Sequence, residues 1–172
     1  MSMRRFLPIL LLPLTMPLAA QDSPGLGEPV DADALARIDF TVLPDGDGLP
    51  AGSGTAAEGA DVYARHCIAC HGERGEGNVN DALAGGHGSL ASDQPKKTVG
   101  SYWPYATTVF DYVRRAMPLQ TPGILSNDEV YAVTAYILHI NGIVDEQTSM
   151  NATTLPAVKM PNREGFTWAF EP

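Results

Sequence analysis

Cysteine is scarce in this chain: 172 residues hold two, both inside the pentapeptide Cys67-Ile68-Ala69-Cys70-His71. A multi-bridge disulfide scaffold is therefore excluded. Histidine is nearly as rare. Besides His71 there are His66, His87 and His139, none of them paired at ligand spacing, so a structural zinc site lacks its second pair of ligands. Basic residues are in deficit, with 11 Lys and Arg against 20 Asp and Glu and a formal charge of −9. That balance argues against nucleic acid and anionic membrane surfaces as partners, and suits equally a partner presenting basic groups or the simple solubility of an exported protein. Long apolar runs are missing too. Phe6 to Leu18 is interrupted by Pro8, Pro13 and Pro17 and falls short of the ~20 residues a spanning helix needs. Internal repeats and low-complexity tracts are absent.

That apolar run has another reading. Arg4-Arg5 precedes it and Leu18-Ala19-Ala20 closes it before the polar Gln21, which is the layout of a secretory signal peptide over residues 1–20, cleaved near Ala20. No cysteine directly follows that point, so no lipid anchor is expected there. The expected product is exported, periplasmic and without a membrane anchor. Its 152 residues suit one domain with a modest core, and losing Arg4 and Arg5 takes its formal charge to −11.

Three chemistries compete for Cys67-Ile68-Ala69-Cys70-His71. A redox-active C-x-x-C belongs on a strand-to-helix turn, and no alternation of strands with crossover helices surrounds residue 67. Zinc lacks ligands. The remaining chemistry is covalent haem attachment, in which two thiolates form thioethers and the following histidine ligates iron. Export agrees with it, because such attachment takes place outside the cytoplasm.

Composition divides the exported chain in three. Residues 21–55 are rich in Asp, Gly and Pro and read as an extended arm, with Ile38, Phe40 and Val42 alternating as one strand. Residues 56–141 carry the helical patterns. A first helix is expected from Ala56 to Cys70, with Gly59 marking a close helix approach. A further one is expected over Thr107–Ala116, with Val109, Phe110 and Val113 inward. The last opens with the capping box Ser126-Asn127-Asp128-Glu129, shows an apolar stripe of Val130, Val133, Tyr136, Ile137 and Ile140, and stops at Asn141-Gly142. Residues 142–172 are irregular and end in aromatics, so they are expected to fold back on the core. The fold class is all-α.

A haem iron on His71 needs a sixth ligand or leaves an open site. Met117 is the first candidate, because Pro118 disfavours helical backbone at Met117 and turns its side chain out of the helix face. Met160, also followed by proline, is the rival; Met150, in polar QTSMNATT, reads as surface. His87 and His139 are weaker candidates. Arg114 and Arg115 beside Met117 suit a haem propionate, a partner surface or a solvated helix end. Tyr102, Trp103 and Tyr105 suit a crevice wall or ordinary core.

The order helix, CIACHG, glycine-rich loop, helix, AMP, capped helix resembles the small class I c-type cytochromes, in which first and last helices cross through a glycine and an aromatic residue. Gly59, Tyr63 and Tyr136 match that crossing. The blocks GSYWPYATTVFDYVRRAMP, LSNDEVYAVTAYILHINGIV and KMPNREGF are similar to the SoxD-like cytochrome subunits of sulfite and sulfane dehydrogenases, partners of molybdenum enzymes in bacterial sulfur oxidation. The likeness covers residues 38–167. It implies one covalent haem c, anchored by Cys67 and Cys70, with His71 as proximal and Met117 as distal iron ligand. It also implies single-electron transfer without catalysis by this chain alone, from a molybdenum sulfite or sulfane dehydrogenase to a downstream acceptor. A general diffusible carrier, or a haem protein with an open sixth site, is the alternative. Unlike many class I cytochromes, this chain has no proline soon after the motif whose carbonyl would orient His71, so another loop carbonyl must serve.

Overall fold

The computed structural model describes residues 26–167, 169 and 170; the expected signal peptide lies outside the described residues. Contacts divide the chain at Ile38 into two units. In the first, helix α1 spans Ala32–Ile38. The Asp31 carboxylate accepts from the Ala34 N–H at 2.7 Å, capping the helix start. The strand expected to begin at Ile38 is absent. Ala32, Ala34 and Leu35 are helix formers behind a good cap, and together they outweigh the β preference of one isoleucine.

The second unit begins at Asp39 and is built around one helix. Helix α2 spans Ala56–His66, α3 Ile68–His71, α4 Ala106–Ala116 and α5 Asn127–Ile140; strands β1, Ser53–Gly54, and β2, Met150–Asn151, form an antiparallel pair. Both α2 and α4 pack on α5, as does β1. Being covered on three sides, α5 buries Tyr131, Ala132, Ala135 and Leu138 as well as Val130, Val133 and Ile137 from the expected stripe. Tyr136 and Ile140 are half-buried. Phe110 of α4 meets Tyr131 with centroids 4.4 Å apart, and both are fully buried. Such a pair adds about 0.5–1.5 kcal/mol beyond its area.

The α2–α5 crossing depends on Gly59. A Cβ there would collide with the Ala132 carbonyl, so only glycine allows the approach. One turn on, Tyr63 and Tyr136 pack with centroids 5.0 Å apart. Both helices start with complete capping boxes, Thr55 with Glu58 and Ser126 with Glu129. Helix α5 ends as expected: Gly142 takes φ 69° and the Ile143 N–H returns to the Leu138 carbonyl at 3.0 Å.

Residues 39–55 lie on the helices and not away from them. Val42 is buried, its N–H donating to Asp111 of α4. Tyr131 donates to the Pro50 carbonyl and the Ser53 N–H donates to Asp128. The region after α5 folds back on the core, burying Met150, Leu155 and Met160. Met150 is thus core and not surface. Its polar neighbours misled because they close a turn on themselves: Asn151 accepts from the N–H groups of Thr153 and Thr154, leaving Met150 facing inward.

Candidate functional site

The first helix does not run on to Cys70. It ends at His66, Cys67 takes φ −122°, ψ −34°, and a separate turn, α3, carries Ile68–His71. That break presents one short turn to a cavity of about 460 Å³, within the ~300–1,000 Å³ usual for cofactor and ligand sites. Cys67, Cys70 and His71 line it from this side. Neither cysteine is in a disulfide. Burial, and then the neighbouring Cys70, push the Cys67 thiol up to about 11.

Met117 lines the same cavity. It ends α4 in extended backbone, φ −120° and ψ 147°, as a residue before proline should. Apolar side chains fill the walls between these polar groups: Val109 and Val113 from α4, Val133 and Ile137 from α5, Leu83 and Val99 from the intervening loop. Of the three aromatics in Tyr102-Trp103-Pro104-Tyr105, only Trp103 is a wall residue. Tyr102 instead stacks edge-on with Phe166, and Tyr105 lies beneath the Arg163 guanidinium. Met160 is buried in the core and is not part of the lining, nor are His87 and His139.

His71 is held by a partner that sequence reasoning could not name. Its Nδ1 lies 2.8 Å from the Asp81 carbonyl oxygen. An acceptor there requires the proton on Nδ1, which leaves the Nε2 lone pair free for a metal. The loop supplying that carbonyl is tied down repeatedly. Gly77 donates to the His71 carbonyl, Asn80 to that of Cys70, and the Tyr63 hydroxyl to that of Gly72 at 3.0 Å. Burial raises the Tyr63 pKa well above the ordinary phenol value, so it remains a donor at any physiological pH.

Arg114 and Arg115 are not in the lining. Arg115 pairs with Asp111 at 2.8 Å, and both guanidiniums lie over the Phe40 ring. They brace the segment before α2. His66 and Lys97, neither singled out from sequence as a site residue, do line the cavity.

The donor set fits haem c: two thiols three positions apart, a free ring nitrogen beside them, a thioether, and apolar walls for a flat macrocycle. The cytochrome c family profile matches residues 56–141, half of the chain and the segment that builds most of the cavity. The chain belongs to the cytochrome c family. Membership implies covalently bound haem c and electron transfer as the class of function. The cytochrome is similar to a chain in the crystal structure of the sulfane dehydrogenase SoxCD from Paracoccus pantotrophus, at 44% identity and a TM-score of 0.80, covering 84% of this chain and 72% of that one. A thiosulfate dehydrogenase from Psychrobacter arcticus is 26% identical over 121 residues, 70% of this chain. The cytochrome spans about a third of that relative's length, 33%. Among the described residues, no helix is long and apolar enough to cross a membrane.

Proposed function

We propose that this cytochrome is a periplasmic single-haem electron carrier, acting as the electron-accepting subunit or partner of a sulfane or sulfite dehydrogenase of the molybdenum type. The observation that carries the reading is that Cys67, Cys70, His71 and Met117 share one cavity with apolar walls. Cys67 and Cys70 would hold the haem by thioether bonds, the thiols adding to its vinyl groups, and His71 Nε2 and the Met117 sulfur would be the iron ligands. When bound, haem c with both axial positions filled supplies reversible one-electron chemistry with little rearrangement, and methionine ligation raises its potential. The chain's own part is to fix the His71 tautomer through Asp81, exclude water with the valine and isoleucine walls, and present Met117 from proline-stiffened backbone. One C-x-x-C-H in the sequence supports one haem.

The sulfur-oxidation assignment rests on the 44% identity to a chain of SoxCD. Net charge supports a basic docking partner, since 20 acidic residues face 11 basic ones. The deciding experiment is expression of the full chain with haem-attachment machinery, followed by mass and spectra. One covalent haem, low spin, with the far-red iron–thioether band in the oxidised form is expected; absence of that band overturns the carrier assignment in favour of an open-site haem protein. Co-purification with a molybdenum dehydrogenase is expected as well. Equal reduction by unrelated donors and no such partner would make it a general diffusible carrier.

A further inference from the structure

The cavity has one fixed cation. Lys97 is the sole lysine or arginine among its lining residues, the other basic groups there being His66 and His71. Among the described residues its ammonium has no carboxylate partner, since the ion pairs are Arg65 with Glu129 and Arg115 with Asp111. Its Nζ stands 5.1 Å from the Tyr102 ring centroid, over the ring face.

The backbone on either side is anchored by part-buried bonds. Thr98, 2% exposed, donates through Oγ1 to the Gly85 carbonyl at 2.6 Å, and the Ser101 hydroxyl donates to the Lys96 carbonyl at 2.6 Å. The Val99 N–H reaches the Leu83 carbonyl at 3.1 Å, tying this segment to the loop after His71. Tyr102 is held in turn by the region after α5: Asn162 donates to its carbonyl at 2.7 Å and Phe166 packs edge-on against its ring, centroids 5.3 Å apart. A lysine with anchored backbone, an aromatic rest and no acid partner, lining a mostly apolar cavity whose one carboxylate residue is Asp81, is arranged for an anionic group on whatever fills that cavity.

We propose that Lys97 is the positioning residue that receives a haem propionate, and that its charge raises the reduction potential of the site. The proposal rests on the reading of the cavity as a haem c site. The sign follows from electrostatics: the ammonium offsets a propionate charge that would favour the oxidised iron, so its removal must favour oxidation. Arg114 and Arg115 are excluded from the role because neither lines the cavity, and Arg115 is already paired with Asp111.

The test uses the holoprotein and three variants, Lys97→Met, Lys97→Arg and Lys96→Met, each checked first for covalent haem by mass and for the iron–thioether band. Lys96→Met matches Lys97→Met in net charge lost, and Lys96 is outside the lining. Redox titration is expected to show Lys97→Met shifted toward oxidation by about three- to tenfold in the equilibrium constant. Tenfold is about 59 mV for one electron. Lys97→Arg should keep the wild-type potential, and Lys96→Met should move it far less than Lys97→Met. Equal shifts in the two methionine variants, or no shift in Lys97→Met with the band intact, would overturn the role of Lys97 while leaving the haem assignment standing. Wild-type protein without attached haem would overturn both.

Discussion

Residues 72–83 and residues 117–125 both border the cavity, but they are held in different ways. The first stretch is fastened by the chain itself. The N–H groups of Leu83 and Ala84 share the Gly75 carbonyl, Asn78 donates to the Ala69 carbonyl, Tyr63 secures Gly72, and Asp81 secures His71. The second has only two backbone hydrogen bonds of this kind among the described residues, Met117 to Val113 and Thr121 to Pro118. Leu119 and Ile124 are 60% and 52% exposed. Pro118 and Pro122 restrict it chiefly by limiting the unfolded chain. A ring nitrogen must keep one tautomer and one direction, which takes a hydrogen-bonded frame. A thioether on an unbranched side chain needs only to reach.

The largest expected effect removes the scaffold beneath both stretches. Gly59→Val would drive a side chain into the Ala132 carbonyl and part α2 from α5, with a loss of about 4 kcal/mol or more of stability, read as failure to fold or a sharply lowered Tm. Next, the two stretches should separate under paired substitution of the holoprotein. His71→Ala is expected to abolish the low-spin haem spectrum, whereas Met117→Ala should retain attached haem, lose the iron–thioether band and bind added carbon monoxide. Equal spectra for the two variants would erase the distinction.

A smaller effect tests the frame alone. Tyr63→Phe leaves the buried Gly72 carbonyl without its donor and should cost about 1–3 kcal/mol, seen as a lower denaturant midpoint at unchanged slope. Hydrogen exchange should then rise at Gly77 and Asn80 and remain unchanged at Thr121.

The smallest is pH-dependent. Hydrogen bonds from the Ser126 backbone N–H, then from its hydroxyl, lower the Glu129 pKa below the ordinary 4.5. Stability from this cap is therefore present above the ordinary carboxylate range and lost as pH falls through the depressed folded value. Glu129→Gln should cost about 0.5 kcal/mol at neutral pH, small because the group is exposed, and the difference from wild type should vanish in acid.

Much of this was readable along the chain because it is local. Helix α4 runs over Ala106–Ala116 against an expected Thr107–Ala116, and the capping box at Ser126 is where its residues indicated. Such features depend on neighbours three or four positions away. The missed features are those that depend on distant partners. The break at Cys67 left no mark in the apolar spacing, because Val62, Tyr63 and His66 continue a plausible helix face toward it. Tyr131 and Leu138 lie off the expected stripe of α5 and are buried nonetheless, since three neighbours cover that helix. Asp81 orients His71 through a backbone carbonyl, and a carbonyl has no letter in a sequence.

Cofactor chemistry is written in five consecutive residues, since two thiols and an imidazole at fixed spacing carry their meaning wherever the chain folds. Which methionine shares their cavity is not. Met117 and Met160 are both followed by proline, and the sequence ranks them by one helix boundary. Folding buries Met160 in the core as part of the returning C-terminal segment and leaves Met117 at the cavity. The reason is packing: α4 docks on α5, and only in the folded chain does Met117 at its end border the same cavity as α3.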